Sequence, residues 1–494
     1  MYYKFVSKWF CYIVPFLFLK SQEAKRMHQN DSNFINDILE KDIKVPQYSS
    51  FSTQRKVLIL FIVTEAGFLG PVAGNIYIPI LYELQEVFNV SETAINGTVS
   101  IFMFVMAFAP LLWSSLSDFG GRKVLYISSL GTFVIANAIL ASIQANIYCL
   151  YIFRAVQAFG ASSVISLGAG TVADTVEPKH RGKAISYFML GPQLGPILGP
   201  LLAMISHNGQ WRWIFGFLLI FGAVVWLMVL FLLPETLRYL VGNGECYNDK
   251  HWFLIPKLWQ ERLTQDDDAY PRPPKPHFKS ILKLLSFKPI FIMSLISGLL
   301  FASFYGLSVT FARVLKDKYN FNDLQTSISY LCPGLALISG SIISGRISDY
   351  NFKKTQKSRE SHIPEKRFSQ LSIGLVISMA GIIGYGWLIE KNVHVSGVFV
   401  FSFLSGFGMT WVFVISTTYL TETVQEQPAT SVAIGNLMRN LAAAISAAII
   451  ERIISSIGYG WCFTGLGLLH LVGIMLVFVL TKFGPRWRKG QQTK

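Results

Sequence analysis

The chain has 494 residues, of which 52% are hydrophobic and only 14% are charged. That composition leaves too little polar surface to cover a water-soluble globule of this size, so it predicts a membrane protein. The formal net charge of +15 does not indicate nucleic-acid binding, because the basic residues form short clusters between long apolar runs. Five single cysteines without metal-ligand spacing indicate neither a disulfide framework nor a metal site, and we expect no cofactor.

The first 56 residues are predicted to form a cytoplasmic tail. They begin like a secretory signal, because Lys4 and Lys8 precede an apolar run from Trp9 to Leu19. This run is too short to cross a bilayer, and Pro15 interrupts it. We therefore expect a segment that lies on the membrane surface.

Apolar stretches of about 20 residues, the length that crosses a bilayer, recur along the rest of the chain. They begin near positions 57, 95, 124, 147, 183, 213, 288, 325, 369, 395, 429 and 460. With both termini in the cytoplasm, the outer loops hold only Arg212, Arg313, Lys316, Lys318, Lys391 and Arg452 of the 43 basic residues. Because positive residues favour the cytoplasmic side, this asymmetry predicts an all-α protein with twelve transmembrane helices and cytoplasmic termini.

The longest connection between spans carries three consecutive acidic residues, Asp266 to Asp268, and the Pro-rich segment PRPPKP at 271–276. Such a segment is typical of a linker and not of a soluble domain. It divides the chain into a tail at 1–56, an N-terminal half at 57–234, a central cytoplasmic loop at 235–287, a C-terminal half at 288–483 and a basic tail at 484–494.

An internal repeat supports this division. The segment SLSDFGGRK at 115–123 aligns with RISDYNFKK at 346–354, so Asp118 corresponds to Asp349 and Arg122 to Lys353. Each copy follows the second predicted span of its half on the basic side. This arrangement predicts two six-helix pseudo-repeats, as in duplicated transporters whose halves rock about a central site.

The segment at 114–123 also resembles the loop motif of the major facilitator superfamily, through Leu116, Asp118, Gly121, Arg122 and Lys123, while Ser114 and Phe119 depart from it. Further segments, GNIYIPIL at 74–81, LGAGTVAD at 167–174 and PETLRYLVGNG at 234–244, are similar to its fungal drug:proton antiporters, in the branch with quinidine-resistance and dityrosine transporters. The resemblance implies the major facilitator fold and a transporter, not an enzyme.

In that family the motif aspartate stabilises the closed cytoplasmic side by facing the start of the eleventh span, which here follows Pro428. A helix N-terminus carries partial positive charge, so the pairing is physically reasonable. The gating candidates are Asp118, Arg122, Lys123, Asp349 and Lys353.

The fourth span carries Leu150, Arg154, Gln157 and Gly160, which resembles a second family motif, with Ala158 in place of its first glycine. A cation in the bilayer costs roughly 2.5 to 3.5 kcal/mol on insertion scales. We therefore expect Arg154 to serve a partner, a water-filled cavity or a proton path. Gln157 shares its helix face.

The fifth span reads GPQLGPILGP at 191–200 and resembles the antiporter motif, with Pro200 at the position of its final glycine. Its glycines every four residues predict a smooth face for close helix packing, and its prolines bend the helix. The motif residues are Gly191, Pro192, Gly195, Pro196 and Gly199. The resemblance implies an exporter and not an importer.

Polar side chains in two further spans are candidates for proton coupling or substrate binding. Glu65, in the first span, is the only carboxylate clearly inside the hydrocarbon region, and it is a candidate proton carrier, a substrate charge selector or half of a structural ion pair with Arg154. Asn75 is a candidate in the same span. In the eleventh span Asn436, Arg439 and Asn440 share one face that is expected to point into the bundle.

The absence of a GxxxxGK[ST] motif argues against ATP-driven pumping. The favoured prediction is a proton-coupled exporter of small organic compounds, an antiporter for drugs, weak acids or cations. A dedicated exporter of a wall precursor such as a dityrosine compound, a nutrient or polyamine importer and a non-transporting receptor stay open. The expected partners are the solute, protons and the lipid bilayer, for a monomer in the plasma membrane, with the vacuolar and prospore membranes as alternatives.

Overall fold

The computed structural model describes residues 48–142, 146–203, 210–244, 278–356, 364–424 and 426–492. The predicted surface segment at 9–19 and most of the predicted central loop lie outside the described residues. Within these ranges all regular structure is helical. Residues from Ser49 onward form one compact unit.

The described residues from 48 to 244 contain ten α-helices. They are α1 (Thr53–Asn75), α2 (Leu81–Phe88), α3 (Glu92–Gly120), α4 (Arg122–Ser142), α5 (Ile147–Ala161), α6 (Val164–Thr175), α7 (Pro178–Phe188), α8 (Leu190–Leu202), α9 (Arg212–Leu232) and α10 (Arg238–Val241). Serine side chains cap two of these helices, because Ser52 accepts a hydrogen bond from Arg55 N and Ser91 from Ala94 N.

The described residues from 278 onward contain seven α-helices. They are α11 (Phe278–Leu285), α12 (Lys288–Tyr319), α13 (Asp323–Ser329), α14 (Leu331–Gln356), α15 (Phe368–Glu390), α16 (Val395–Thr423) and α17 (Pro428–Gln492). A short 3₁₀ helix, Pro364–Arg367, precedes α15. The basic segment predicted as a tail from 484 is therefore helical as far as Gln492, and the predicted loop at 235–287 contains α10 and α11.

Ten helical stretches of the described residues are long and apolar enough to cross a membrane. Two features explain why this number is below twelve. The predicted fifth span is divided at Met189 into α7 and α8, of 11 and 13 residues. The predicted eleventh and twelfth spans run together as α17, with a kink at Gly458, where φ is +80°. The count of twelve stays a prediction.

The glycine face of α8 packs directly against α1. A Cβ atom at Gly191 would lie 2.0 Å from the carbonyl oxygen of Thr64, and one at Gly195 would lie 2.7 Å from the backbone nitrogen of Val72. No side chain fits at such distances, so the two backbones approach as closely as the glycine spacing predicts.

Contacts between the two halves involve a small set of helices. Helix α17 packs against α3 and α6, while α7 and α8 pack against α14, and α7 also contacts α16. Helix α1 packs within its own half, against α8, α6 and α9. The charged motifs lie at the ends of these interface helices.

Candidate functional site

The first charged cluster consists of Asp118, Arg122 and Asp174, at the junction of α3, α4 and α6. Arg122 is fully buried. Its Nη1 lies 2.6 Å from an Asp118 carboxylate oxygen, and its Nε lies 2.9 Å from an Asp174 oxygen. Two carboxylates therefore surround one guanidinium, which compensates the cost of burying it.

Asp118 also binds the start of α17 in the other half. Its carboxylate accepts hydrogen bonds from the backbone nitrogens of Ala429, at 3.3 Å, and Thr430, at 2.9 Å, and from the Thr430 hydroxyl, at 2.6 Å. These are the first amides of α17, which have no partner within the helix. Asp118 thus lies at the helix start where the family resemblance placed it. Its gating role stays a prediction.

The second charged cluster, formed by Asp349, Arg367 and Glu422, repeats this arrangement with the halves exchanged. Asp349 of α14 accepts hydrogen bonds from the backbone nitrogens of Gly182 and Lys183 in α7, both at 2.9 Å. Arg367 lies 3.3 Å from Asp349 and 3.1 Å from Glu422. Each cluster therefore ties a carboxylate of one half to backbone amides of the other.

The repeat assigned Lys353 as the counterpart of Arg122, and this pairing stays a prediction. Among the described residues the cation beside Asp349 is Arg367, which directly precedes α15, much as Arg122 begins α4. Lys353 belongs to α14, and its side chain lies outside the described residues. A cation at or next to a helix start therefore contacts the aspartate in both clusters.

A buried carboxylate at the end of the sixth predicted span supports the first cluster. Glu235 accepts hydrogen bonds from four backbone nitrogens: those of Arg122, Lys123, Thr236 and Leu237, at 2.8 to 3.1 Å. It therefore satisfies the otherwise unpaired first amides of α4. For Lys123, a predicted gating residue, this backbone contact fixes the chain at the start of the helix.

A corresponding contact supports the second cluster. Glu365, two residues before Arg367, lies 3.1 Å from Arg488 near the end of α17. Burial raises the pKa of the Glu365 carboxyl, and Arg488 opposes that rise. The end of the last helix is thereby connected to the turn that holds Arg367.

Arg154 occupies a buried position between α1 and α3. Its Nη1 donates to the Gln157 side-chain oxygen at 2.7 Å and to the Ala73 carbonyl at 3.2 Å. Its guanidinium carbon lies 4.1 Å from the ring centre of Tyr77 and 4.2 Å from that of Phe102. The guanidinium of Arg154 is thus held between two aromatic faces.

Glu65 does not pair with Arg154, so the alternative of a structural ion pair is wrong. Among the described residues Glu65 has no hydrogen-bond or ion-pair partner, and it is only half-buried. Asn75, the other candidate on α1, donates to the Pro71 carbonyl of the same helix at 2.8 Å. The roles of Glu65 in proton coupling and in charge selection stay open.

The predicted polar face of α17 contacts the opposite half. Asn436 donates to the Ser166 hydroxyl at 3.2 Å, and Asn440 donates to the Met106 carbonyl at 3.1 Å. Arg439, between them, donates to the side-chain oxygen of Asn436. This face therefore does point into the bundle, across the interface of the halves.

The Major Facilitator Superfamily model matches residues 66–359, more than half of the chain. This chain belongs to the major facilitator superfamily. The family resemblance inferred from the motifs is thus confirmed. As a superfamily member the protein is an integral membrane transporter and not an enzyme.

Three of the proteins similar to this chain are fungal transporters. This major facilitator chain is 43% identical over 465 residues to Dityrosine transporter 1 of Saccharomyces cerevisiae, covering 88% of this chain and 81% of that protein. It is 42% identical over 477 residues to a multidrug transporter of Candida glabrata, covering 91% and 88%. A Candida albicans antiporter is 27% identical over 472 residues, covering 91% and 93%.

Solved structures share the fold at low sequence identity. The human organic anion transporter MFSD10 aligns with a TM-score of 0.60 and 17% identity, covering 85% of this chain and 99% of that one. The proton:xylose symporter XylE aligns with a TM-score of 0.65 and 15% identity, covering 88% and 96%. These alignments establish the all-helical major facilitator fold.

Sequence reasoning did not identify four residues of this site: Asp174, Glu235, Arg367 and Glu422. Two of them lie in segments that were noted only for their family resemblance, LGAGTVAD for Asp174 and PETLRYLVGNG for Glu235. A charged residue that ends a predicted span was the available signal. Arg367 and Glu422 have no recognisable motif and are brought together only by the packing of α15 and α16.

Proposed function

We propose that this major facilitator protein is a proton-coupled transporter that exports small organic compounds. The observation that carries the proposal is a pair of contacts in which a carboxylate of each half binds backbone amides of the other half. Asp118 binds the start of α17, and Asp349 binds amides of α7. Both contacts must break before the halves can separate on this side, which is what an alternating-access cycle requires.

The loops on the clustered side are rich in Lys and Arg, so we assign that side to the cytoplasm. In this topology both termini are cytoplasmic and twelve spans cross the membrane, with the kinked α17 contributing two and α7 with α8 contributing one. We further propose a monomer in the plasma membrane. The packed glycine face of α8 supports export, because this motif resembles the one associated with exporters.

Glu65 is the proposed proton carrier. It is a carboxylate within an apolar helix, and no described residue neutralises it. A carboxylate that exchanges a proton during the cycle must not be held permanently ionised by a fixed cation. Because Arg154 is engaged elsewhere, the structure leaves Glu65 available for this role.

The test is transport in sealed inside-out vesicles with and without an imposed proton gradient. We expect gradient-driven accumulation of a substrate with the wild-type protein and its loss with Glu65→Gln. Glu451→Gln is the matched control, because Glu451 is an exposed carboxylate paired with Arg313 at the other end of the spans. Uptake that ignores the gradient would refute proton coupling. Flux only in the opposite direction would establish an importer, and ligand binding without flux would indicate a receptor.

A second candidate, a dedicated exporter of a dityrosine compound, is favoured by the 43% identity to a protein named for dityrosine transport. The same vesicles distinguish it from a multidrug exporter. A dedicated exporter accumulates dityrosine-like compounds and excludes unrelated organic cations. A multidrug exporter accumulates several unrelated classes.

A further inference from the structure

Arg154 and Arg439, in the membrane-spanning region, are buried without an acidic partner among the residues that the structure describes. Arg154 is fully buried and Arg439 is 6% exposed. Among the described residues neither forms an ion pair. In the described part of the chain, Nε and Nη2 of Arg154 and Nε of Arg439 also have no hydrogen-bond acceptor. Because arginine stays protonated in proteins, each site holds an uncompensated positive charge.

Two other buried arginines, Arg122 and Arg367, have acidic partners. Arg122 in the first charged cluster contacts two carboxylates, and so does Arg367 in the second. An unpaired charge inside a protein is costly, and removing one partner of a buried pair is strongly destabilising. The absence of a carboxylate at Arg154 and Arg439 therefore implies that their counter-charge comes from outside the described chain.

The two arginines belong to opposite halves of the transporter. Arg154 lies between Tyr77 and Phe102 of the N-terminal half. Arg439 lies in the C-terminal half, with its guanidinium carbon 3.9 Å from the ring centre of Phe413 and 5.4 Å from that of Phe301. Each half thus supplies one guanidinium flanked by two aromatic rings.

Contacts with α3 show how deep in the bundle each arginine lies. Phe102 contacts Arg154, and Met106, four residues later, accepts a hydrogen bond from Asn440, which adjoins Arg439. Four residues of α-helix rise about 6 Å. The two guanidiniums therefore lie at similar depths in the bundle.

The N–H groups of Arg154 and Arg439 that lack a described acceptor can bind carboxylates. A guanidinium presents parallel N–H donors that match a carboxylate, and charge-assisted bonds of this kind are the strongest in proteins. The flanking rings offer faces for an aromatic portion of the ligand. Gln157 and Asn436 hold the two guanidiniums in place through their side-chain oxygens.

We propose that Arg154 and Arg439 form a two-point anion site for an organic dicarboxylate, with one carboxylate bound by each half. This proposal rests on the proposed transport function, for which it names the substrate class. A ligand that bridges the halves binds the state in which they are together more tightly than the separated state. The substrate itself then supplies part of the energy that closes the bundle around it.

The test is equilibrium binding to the full-length purified protein in lipid nanodiscs, without a proton gradient. The probes are a biphenyl dicarboxylate with one carboxylate on each ring, its monomethyl ester and its dimethyl ester. We expect the dicarboxylate to bind at least about tenfold more tightly than the monoester, because one charge-assisted contact is lost. The neutral diester should show no measurable binding.

Substitutions assign the contacts to the two residues. Arg154→Gln and Arg439→Gln should each lower dicarboxylate affinity at least about tenfold and abolish the preference over the monoester. Arg452→Gln, which removes an exposed arginine, should leave binding unchanged. Gln157→Glu gives Arg154 an internal anion 2.7 Å away, so it should fold well yet bind the dicarboxylate at least about tenfold more weakly.

Three results would overturn the proposal: equal binding of the diester, a dicarboxylate preference that survives both glutamine substitutions, or full displacement of the dicarboxylate by low millimolar chloride. The last would show that an inorganic anion fills the site. The expected binding pattern without gradient-driven transport would refute the proposed function and leave the anion site intact.

Discussion

Replacing Asp118 by Asn should open the side of the bundle that carries the charged clusters. The substitution keeps the side-chain size but removes the charge and one of the two oxygens that accept bonds from Ala429 and Thr430. A hydrogen bond to a charged group contributes about 1.5 to 3 kcal/mol. Loss of one such contact, with weakening of the others, should destabilise the closed state by about 2 to 3 kcal/mol. At about 1.4 kcal/mol per tenfold change, the open fraction rises about 30- to 150-fold.

Cysteine accessibility measures this shift. Ala433 is fully buried and lies on the same face of α17 as Ala429 and Asn436, both of which contact the other half. With the native cysteines replaced, Ala433→Cys in inside-out vesicles should react with a maleimide about 30- to 150-fold faster when Asp118→Asn is added.

The control is Asp317→Asn, because Asp317 is 64% exposed and its pairing with Arg313 should contribute at most about 1 kcal/mol. This change should leave the labelling rate at Ala433→Cys unaltered. Equal acceleration by both substitutions, or none by Asp118→Asn, would refute the reasoning that the bonds from Asp118 hold the halves together.

Three further outcomes are expected. Glu235→Gln should lower the free energy of unfolding by about 2 to 3 kcal/mol in thermal unfolding, because four backbone N–H groups share its carboxylate. Gly191→Ala should lower the free energy of unfolding by about 1 to 3 kcal/mol, because its Cβ would lie 2.0 Å from a carbonyl oxygen of α1. Gly465→Ala should be tolerated, because nothing lies within 4 Å of its Cβ position. Equal effects of the two substitutions would contradict the packing argument. Burial raises the pKa of the Glu365 carboxyl, so this group binds a proton more tightly in the native protein than in the unfolded chain. The stability of the wild type relative to Glu365→Gln should therefore fall as the pH rises above about 4.5. A stability difference that does not change with pH would contradict this.

The family and the approximate helix positions could be predicted from the sequence because they depend on local properties. Apolar length and the placement of basic residues are readable without tertiary structure. Most predicted span starts fall within or next to a helix of the structure. The eighth, near 325, falls in the short helix α13, and the long helix α14 begins only at Leu331. The repeat and the loop motif likewise singled out Asp118 and Asp349, which do bind opposite halves.

The partners of these residues could not be predicted, because they depend on where helix ends meet. The repeat does not indicate that Arg367 contacts Asp349, which it does because the start of α15 lies next to the end of α14. The four backbone bonds of Glu235 likewise require the chain after α9 to return to the start of α4.

The polar side chains inside the membrane illustrate most clearly what the sequence determines and what depends on tertiary structure. The sequence by itself determined that Glu65, Arg154 and Arg439 lie in apolar helices, because composition and spacing define a span. Only the tertiary structure decided that Arg154 faces Tyr77 and Phe102 and not Glu65. Side-chain direction depends on how each helix is rotated against its neighbours, and that rotation is set by packing across the whole bundle.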